Sequence, residues 1–199
     1  ALISLSVLSY LGYQRFIAEP KETEAISELN QAQYFFELAL VSNESDSLFK
    51  LALNGGEGKY GFLDIVDEYS GTKAANLANY SIGMSYLNLK EYDKAIVYLE
   101  KFNSDDILLK SISLGTIGDC FSELNQPKEA YQYYQKAFKN SENIYTTPKY
   151  LFKAAIIGSE LGEYRSAINY LNRIKEEFPD SYESDLVEVQ LGRIENLNN

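Results

Sequence analysis

Cys120 is the single cysteine of the chain, and there is no histidine. A thiolate nucleophile needs a base to take its proton, and imidazole, the usual one, is missing. A lone cysteine also excludes an intrachain disulfide and a thiolate metal cluster. Its place two residues after Gly118, in text of helical spacing, points to a packed and inert thiol. The carboxylate pairs Asp105–Asp106 and Glu176–Glu177 fall in loop and helix-end text and read as solvated charge, not acid–base machinery. The stretch GGEGKYGF, residues 55–62, has the glycines of a phosphate loop. Such a loop needs a preceding strand and a Ser or Thr after its Lys; here Tyr60 follows Lys59 and no strand precedes. It reads instead as a helix C-cap at Gly55 and a flexible connector. Glu57, Lys59, Tyr60 and Phe62 are the side chains of a candidate partner-docking loop there. No catalytic residue, metal site, cofactor or small-molecule substrate is expected, and the chain reads as a non-enzyme.

The composition narrows the partners. The 199 residues carry a formal net charge of −11, which argues against a nucleic-acid surface, because phosphate binding needs clustered Lys and Arg. With 45 % apolar and 24 % charged residues an ordered globular chain is expected, long enough to bury a core without disulfides. The 17 Tyr and 10 Phe are spread along it and suit packed helices with aromatic knobs.

The elements that organise these residues are repeated. Gly83, Gly118 and Ala155 each stand twelve residues before an alanine: Ala95, Ala130 and Ala167. Successive alanines are 35 and 37 apart. Apolar stripes at helical spacing flank each pair, as in Leu77, Ile82, Tyr86 and Leu89, then Ala95, Ile96, Leu99 and Phe102. LKEYD, LNQPK and LGEYR read as the short turns between two helices. The small residues belong where the first helix of each hairpin (helix A) must approach the second (helix B).

In this pattern the chain resembles the tetratricopeptide repeat (TPR) family. The family text reads Leu114, Ile117, Gly118, Phe121, Ala130, Tyr134 and Ala137 in the second unit. In the third it reads Leu151, Ala154, Ala155, Gly158, Ala167, Leu171, Ile174 and Pro179. Gly158 stands where an aromatic is usual, so that unit is expected to be looser. The first unit has Asn79 for a bulky residue and Phe102 for the last alanine. A partial fourth unit aligns Phe178, Ser181, Leu186 and Gly192 with Tyr69, Thr72, Leu77 and Gly83, and makes Ser181 and Thr72 helix N-caps. The same match makes YGFLDIVDEYS the helix B of a degenerate unit before the first.

The expected fold is therefore all-α, a TPR helical-hairpin solenoid with an N-terminal helical cap and a membrane-anchor helix. Its segments are an anchor over 1–18, a helical segment with a degenerate repeat over 19–71, three TPR units over 72–179 and a capping helix over 180–199. Ala25, Leu29, Ala32, Phe36 and Ala39 predict one long helix from Glu22 to Val41, and Pro20 is expected to separate it from what precedes.

The family's register implies a partner-binding groove on helix A, with Tyr80, Met84, Leu87 and Asn88 from the first unit. The second gives Asp119 and Glu123 beside Gly115 and Ser122, and the third gives Phe152, Ile156 and Glu160 beside Ser159. The Lys and Asn of a carboxylate clamp are almost absent from these positions. An apolar, weakly acidic groove suits extended or amphipathic peptides, cationic ones included.

The sixteen opening residues carry no charge before Arg15. Their apolar residues show no single face for a core helix, and no cleavage site for a signal peptide stands out. Leu2, Ile3, Leu5, Val7, Leu8, Tyr10, Leu11 and Tyr13 read as the C-terminal part of a membrane anchor, with an aromatic belt at Tyr10, Tyr13 and Phe16. Anchor, proline, long helix and repeats together resemble the bacterial YfgM-type proteins. The stretches LGYQRFIAEPKE, LNGGEGKYGFLDI, YSGTKAANLANY and TTPKYLFKA carry that likeness. It implies a single-pass inner-membrane protein with its TPR domain in the periplasm, an accessory of the Sec translocon. Its implied partners are translocon subunits, a membrane-anchored periplasmic chaperone or prolyl isomerase, emerging secretory chains, and lipid through the N-terminal helix. A scaffold of another envelope complex and a soluble cytoplasmic adaptor are the alternatives.

Overall fold

The computed structural model describes residues 2–56 and 58–197. Among them every regular element is helical; the one extended pairing is an isolated bridge between Gly56 and Lys59. The chain divides into two compact units, Ala1–Phe102 and Asn103–Asn199.

In the first unit α1 (Leu2–Tyr13) runs through a π-helical turn (Gln14–Ala18) into α2 (Glu19–Val41). Pro20 does not break this helix. Proline lacks a donor and crowds the carbonyl four residues back. Here the preceding turn is already widened, with the Glu19 N–H donating to the Gln14 carbonyl, and Pro20 sits in the first turn of α2, where a donor is dispensable.

The membrane anchor is corrected by this geometry. α1 has 12 described residues. Beyond it come Arg15 and Glu19, paired at 2.7 Å, then Lys21 and Glu22. Among the described residues no helix is long and apolar enough to cross a membrane. The single-pass inner-membrane placement falls with it. Nor is α1 a core helix: the side chains of Ile3, Leu5, Val7, Leu8, Tyr10, Leu11 and Tyr13 are exposed.

α2 buries Ala25, Leu29, Ala32, Phe36 and Ala39, the stripe read from the sequence. It packs on α3 (Ser45–Asn54), α4 (Phe62–Glu68) and α5 (Lys73–Asn88), and α5 pairs with α6 (Tyr92–Lys101). Phe36 is the hub, meeting Phe49 and Phe62 edge-on at centroid distances of 5.7 and 6.1 Å. The start of α5 is doubly satisfied. The Thr72 hydroxyl accepts from Ala75 N at 3.0 Å, and the Glu22 carboxylate, from α2, accepts from Lys73 N and Ala74 N at 2.7 and 3.0 Å.

The second unit holds two hairpins, α7 (Ile107–Glu123) with α8 (Pro127–Asn140) and α9 (Thr147–Glu160) with α10 (Tyr164–Glu177). A 3₁₀ turn (Ser184–Leu186) and α11 (Val187–Leu197) follow. Asp106 caps α7, accepting from Leu108 N and Leu109 N at 2.9 Å. Ser181 accepts from Ser184 N at 3.2 Å, closing a turn before the 3₁₀ segment; it is not the helix N-cap expected, since that segment's N-cap is Glu183 and α11 begins only at Val187. Tyr134, Tyr150, Leu151, Leu171, Ile174 and Val187 are the large side chains of this core.

Candidate functional site

The three hairpins share one turn, built the same way each time. Lys90, Asn125 and Gly162 stand at positive φ, 61°, 56° and 80°. The next residue in each case, Glu91, Gln126 or Glu163, donates its N–H to the carbonyl five residues back, at 2.9, 2.9 and 2.8 Å. This is the Schellman closure, and it sets the angle at which helix B returns along helix A.

The small residues then set the distance. A Cβ on Gly83 would lie 2.4 Å from Leu99 Cγ, and one on Gly118 would lie 2.7 Å from the Tyr134 ring, so each glycine admits the side chain of its own helix B. Two further glycines admit rings from neighbouring hairpin elements. Gly115 takes the Tyr150 ring, where a Cβ would be 2.0 Å from the nearest carbon. Gly158, expected to leave its unit loose, is covered by Tyr131 of α8, 3.0 Å from the ideal Cβ. The missing aromatic is thus supplied from outside the hairpin, and the unit is filled. The first two hairpins carry their own rings, Tyr86 against Tyr98 and Phe121 against Tyr133, at 5.8 and 5.4 Å.

Residues 78–104 and 112–144 match one model of the tetratricopeptide repeat, and residues 150–181 match a second. These hairpins are tetratricopeptide repeats. They mark a protein–protein interaction module, of a class that as a rule does no catalysis. A comparison with curated proteins gives no match.

The groove positions of the first TPR unit lie on α5. Tyr80, Met84 and Leu87 are half-buried and Asn88 is exposed. Tyr80 is held by the ring of Phe102, 5.1 Å away, so the residue that departs from the family's alanine packs behind a groove side chain. In the second unit Phe152 and Ile156 on α9 are half-buried, and Glu123 and Glu160 are exposed at the helix ends. Asp119 is not a free groove carboxylate. Its Oδ1 accepts from the Tyr134 hydroxyl at 2.8 Å and from Lys153 Nζ at 2.5 Å. Lys153, on α9, is the residue of the candidate surface that sequence reasoning missed. Its spacing of 34 from Asp119, close to one repeat period, was the available signal.

The described glycines of the loop at residues 55–62 are tied by backbone contacts. Gly55 caps α3 at φ 69°, and Gly56 and Lys59 exchange both backbone hydrogen bonds, at 3.2 and 3.0 Å. A Cβ on Gly55 would strike the Lys59 carbonyl at 2.1 Å, and one on Gly61 the Gly55 nitrogen at 2.2 Å. Of the four docking candidates, Lys59 and Tyr60 are exposed, Phe62 is wholly buried against Phe36, and Glu57 lies outside the described residues. Cys120 is buried, and desolvation pushes its thiol up to about 12, as befits a packing residue.

Proposed function

We propose that the chain holds a protein partner as an extended or amphipathic peptide along the helix-A faces of its repeats. The observation that supports this is the half-burial of Tyr80, Met84 and Leu87 in one unit and of Phe152 and Ile156 in the other, on helices whose opposite faces are fully buried. Apolar side chains left partly open on a rigid scaffold gain by desolvation when a peptide covers them. Lys153 is occupied by Asp119, so the exposed charges here, Glu123 and Glu160, favour a cationic partner over a carboxylate terminus.

On its resemblance to the YfgM-type proteins we further propose that the partner belongs to protein export: a Sec translocon subunit, a chaperone or prolyl isomerase beside it, or an emerging secretory chain. Met84→Asp, Phe152→Asp and Ile156→Asp test the groove by isothermal titration with the candidate partners. Weakened binding with an unchanged melting temperature supports the reading, and unchanged binding removes the groove from it.

A further inference from the structure

The loop edge of the second unit carries a cluster that the groove does not use. Ile144, Tyr145 and Tyr182 are 69, 74 and 73 % exposed, in the loops that lead into α9 and α11. Isolated exposed apolar residues are ordinary, but the two loops that carry these are bridged by one side chain. Arg173 binds Glu142 in the first loop at 3.0 Å and Glu177, at the start of the second, at 2.7 Å. Between the loops lies a cavity of about 210 Å³, lined by Ile144, Glu177, Phe178, Pro179, Asp180 and Ser181. Its lining combines the apolar Ile144, Phe178 and Pro179 with the carboxylates of Glu177 and Asp180. The segment from Glu177 to Asp185 holds Glu177, Asp180, Glu183 and Asp185 and no Lys or Arg.

We propose that this edge is a second docking surface, which takes a basic segment of a partner protein. One apolar side chain of that segment fills the cavity, and flanking Lys or Arg residues meet Asp180, Glu183 and Asp185. A second copy of the chain would bring the same acidic loop and be repelled, as would an anionic surface. The occupant is therefore a different, cationic chain. The proposal stands apart from the groove, whose candidate residues are on α5, α7 and α9.

Fluorescence anisotropy on the full chain tests it, with two labelled synthetic peptides as probes. One alternates Lys with Leu and Phe, and the other has Glu in place of each Lys. The basic peptide is expected to bind and the acidic one not. Ile144→Ser with Tyr145→Ser, and Asp180→Asn with Glu183→Gln, should each weaken binding about ten-fold or more, the loss typical of a truncated anchor. Ile144, Tyr145 and Asp180 are exposed and Glu183 is half-buried, none of them in the core, so melting temperatures should hold. Val97→Ser, on α6 and outside both surfaces, should leave the affinity unchanged. Absence of binding, equal binding of the acidic peptide, full affinity in either double variant, or a loss seen with the groove variant Ile156→Ser in place of the two double variants would each overturn the proposal.

Discussion

The Tyr134 hydroxyl of α8 and the Lys153 ammonium of α9 converge on one oxygen, Oδ1 of Asp119 on α7, at 2.8 and 2.5 Å. Lys153 also lies over the Tyr134 ring, 5.6 Å from its centroid. One carboxylate therefore ties three helices together at the groove surface.

Removing the acceptor should cost more than removing one donor. Asp119→Ala strands a buried phenol and a half-buried ammonium, and should destabilise the chain by about 1–3 kcal/mol. Lys153→Met keeps the Tyr134 bond and the aliphatic stem, and should cost about 0–1 kcal/mol. Denaturant unfolding of both variants distinguishes the two. Equal losses would mean that the pair does not act through Asp119.

Gly115 and Tyr150 make the tightest of the glycine–ring contacts. Tyr150 is only 1 % exposed and has nowhere to retreat. Gly115→Val should lower stability by about 1–3 kcal/mol, the range for overpacking. The same substitution at Gly192, where a Cβ meets nothing within 4 Å, should have little effect. Thermal melts of the two variants make the comparison.

The shared turn predicts opposite signs at two of its three positions. Lys90 holds φ 61° with a side chain that disfavours it, so Lys90→Gly should stabilise by about 0.5–1 kcal/mol. Gly162→Ala should destabilise by about 1 kcal/mol for the same reason. A destabilised Lys90→Gly in urea unfolding would contradict the account of the turn.

Stability should decline at alkaline pH. Burial pushes Cys120 from 9.0 up to about 12, and Tyr131 from 10.0 up to about 12, with the Tyr170 hydroxyl adding to the second shift. Tyr134 is raised by burial first and by the Asp119 charge second. The folded chain keeps these protons after the unfolded chain has lost them. Their contribution is whole below the unfolded values and is lost as pH rises from 9.0 towards about 12. Melting temperature against pH should be flat to about 9 and fall beyond it, and Cys120 should resist thiol reagents in the folded chain only. A thiol that reacts freely near neutral pH in the folded chain would contradict its burial.

The hairpins were legible because their rules are local. The twelve-residue spacing of Gly83 and Ala95 fixes a close approach, and LKEYD, LNQPK and LGEYR fix where it turns. The fillings were not legible where they come from another element. Gly158 looked empty until Tyr131 of α8 was seen over it, and Asp119 looked free until Lys153 of α9 was seen on it. Phe62 read as a surface residue because its glycine-rich neighbours suggest mobility. In fact Gly55 and Gly61 are glycines because their backbones touch, and that crossing turns Phe62 into the core. The opening residues misled in a different way. Their lack of charge suggested a span, but among the described residues no helix is long and apolar enough to cross a membrane, and Arg15, Glu19, Lys21 and Glu22 follow α1 at once.

The central claim is that partner peptides lie on the helix-A faces. A photo-crosslinking amino acid at Met84 or Ile156, against controls at Val97 on α6 and Asn172 on α10, tests it most directly in cells that express the full chain. The account predicts one defined protein adduct from Met84 and Ile156 and none from Val97 or Asn172. Adducts from the helix-B positions, with none from Met84 or Ile156, would contradict it.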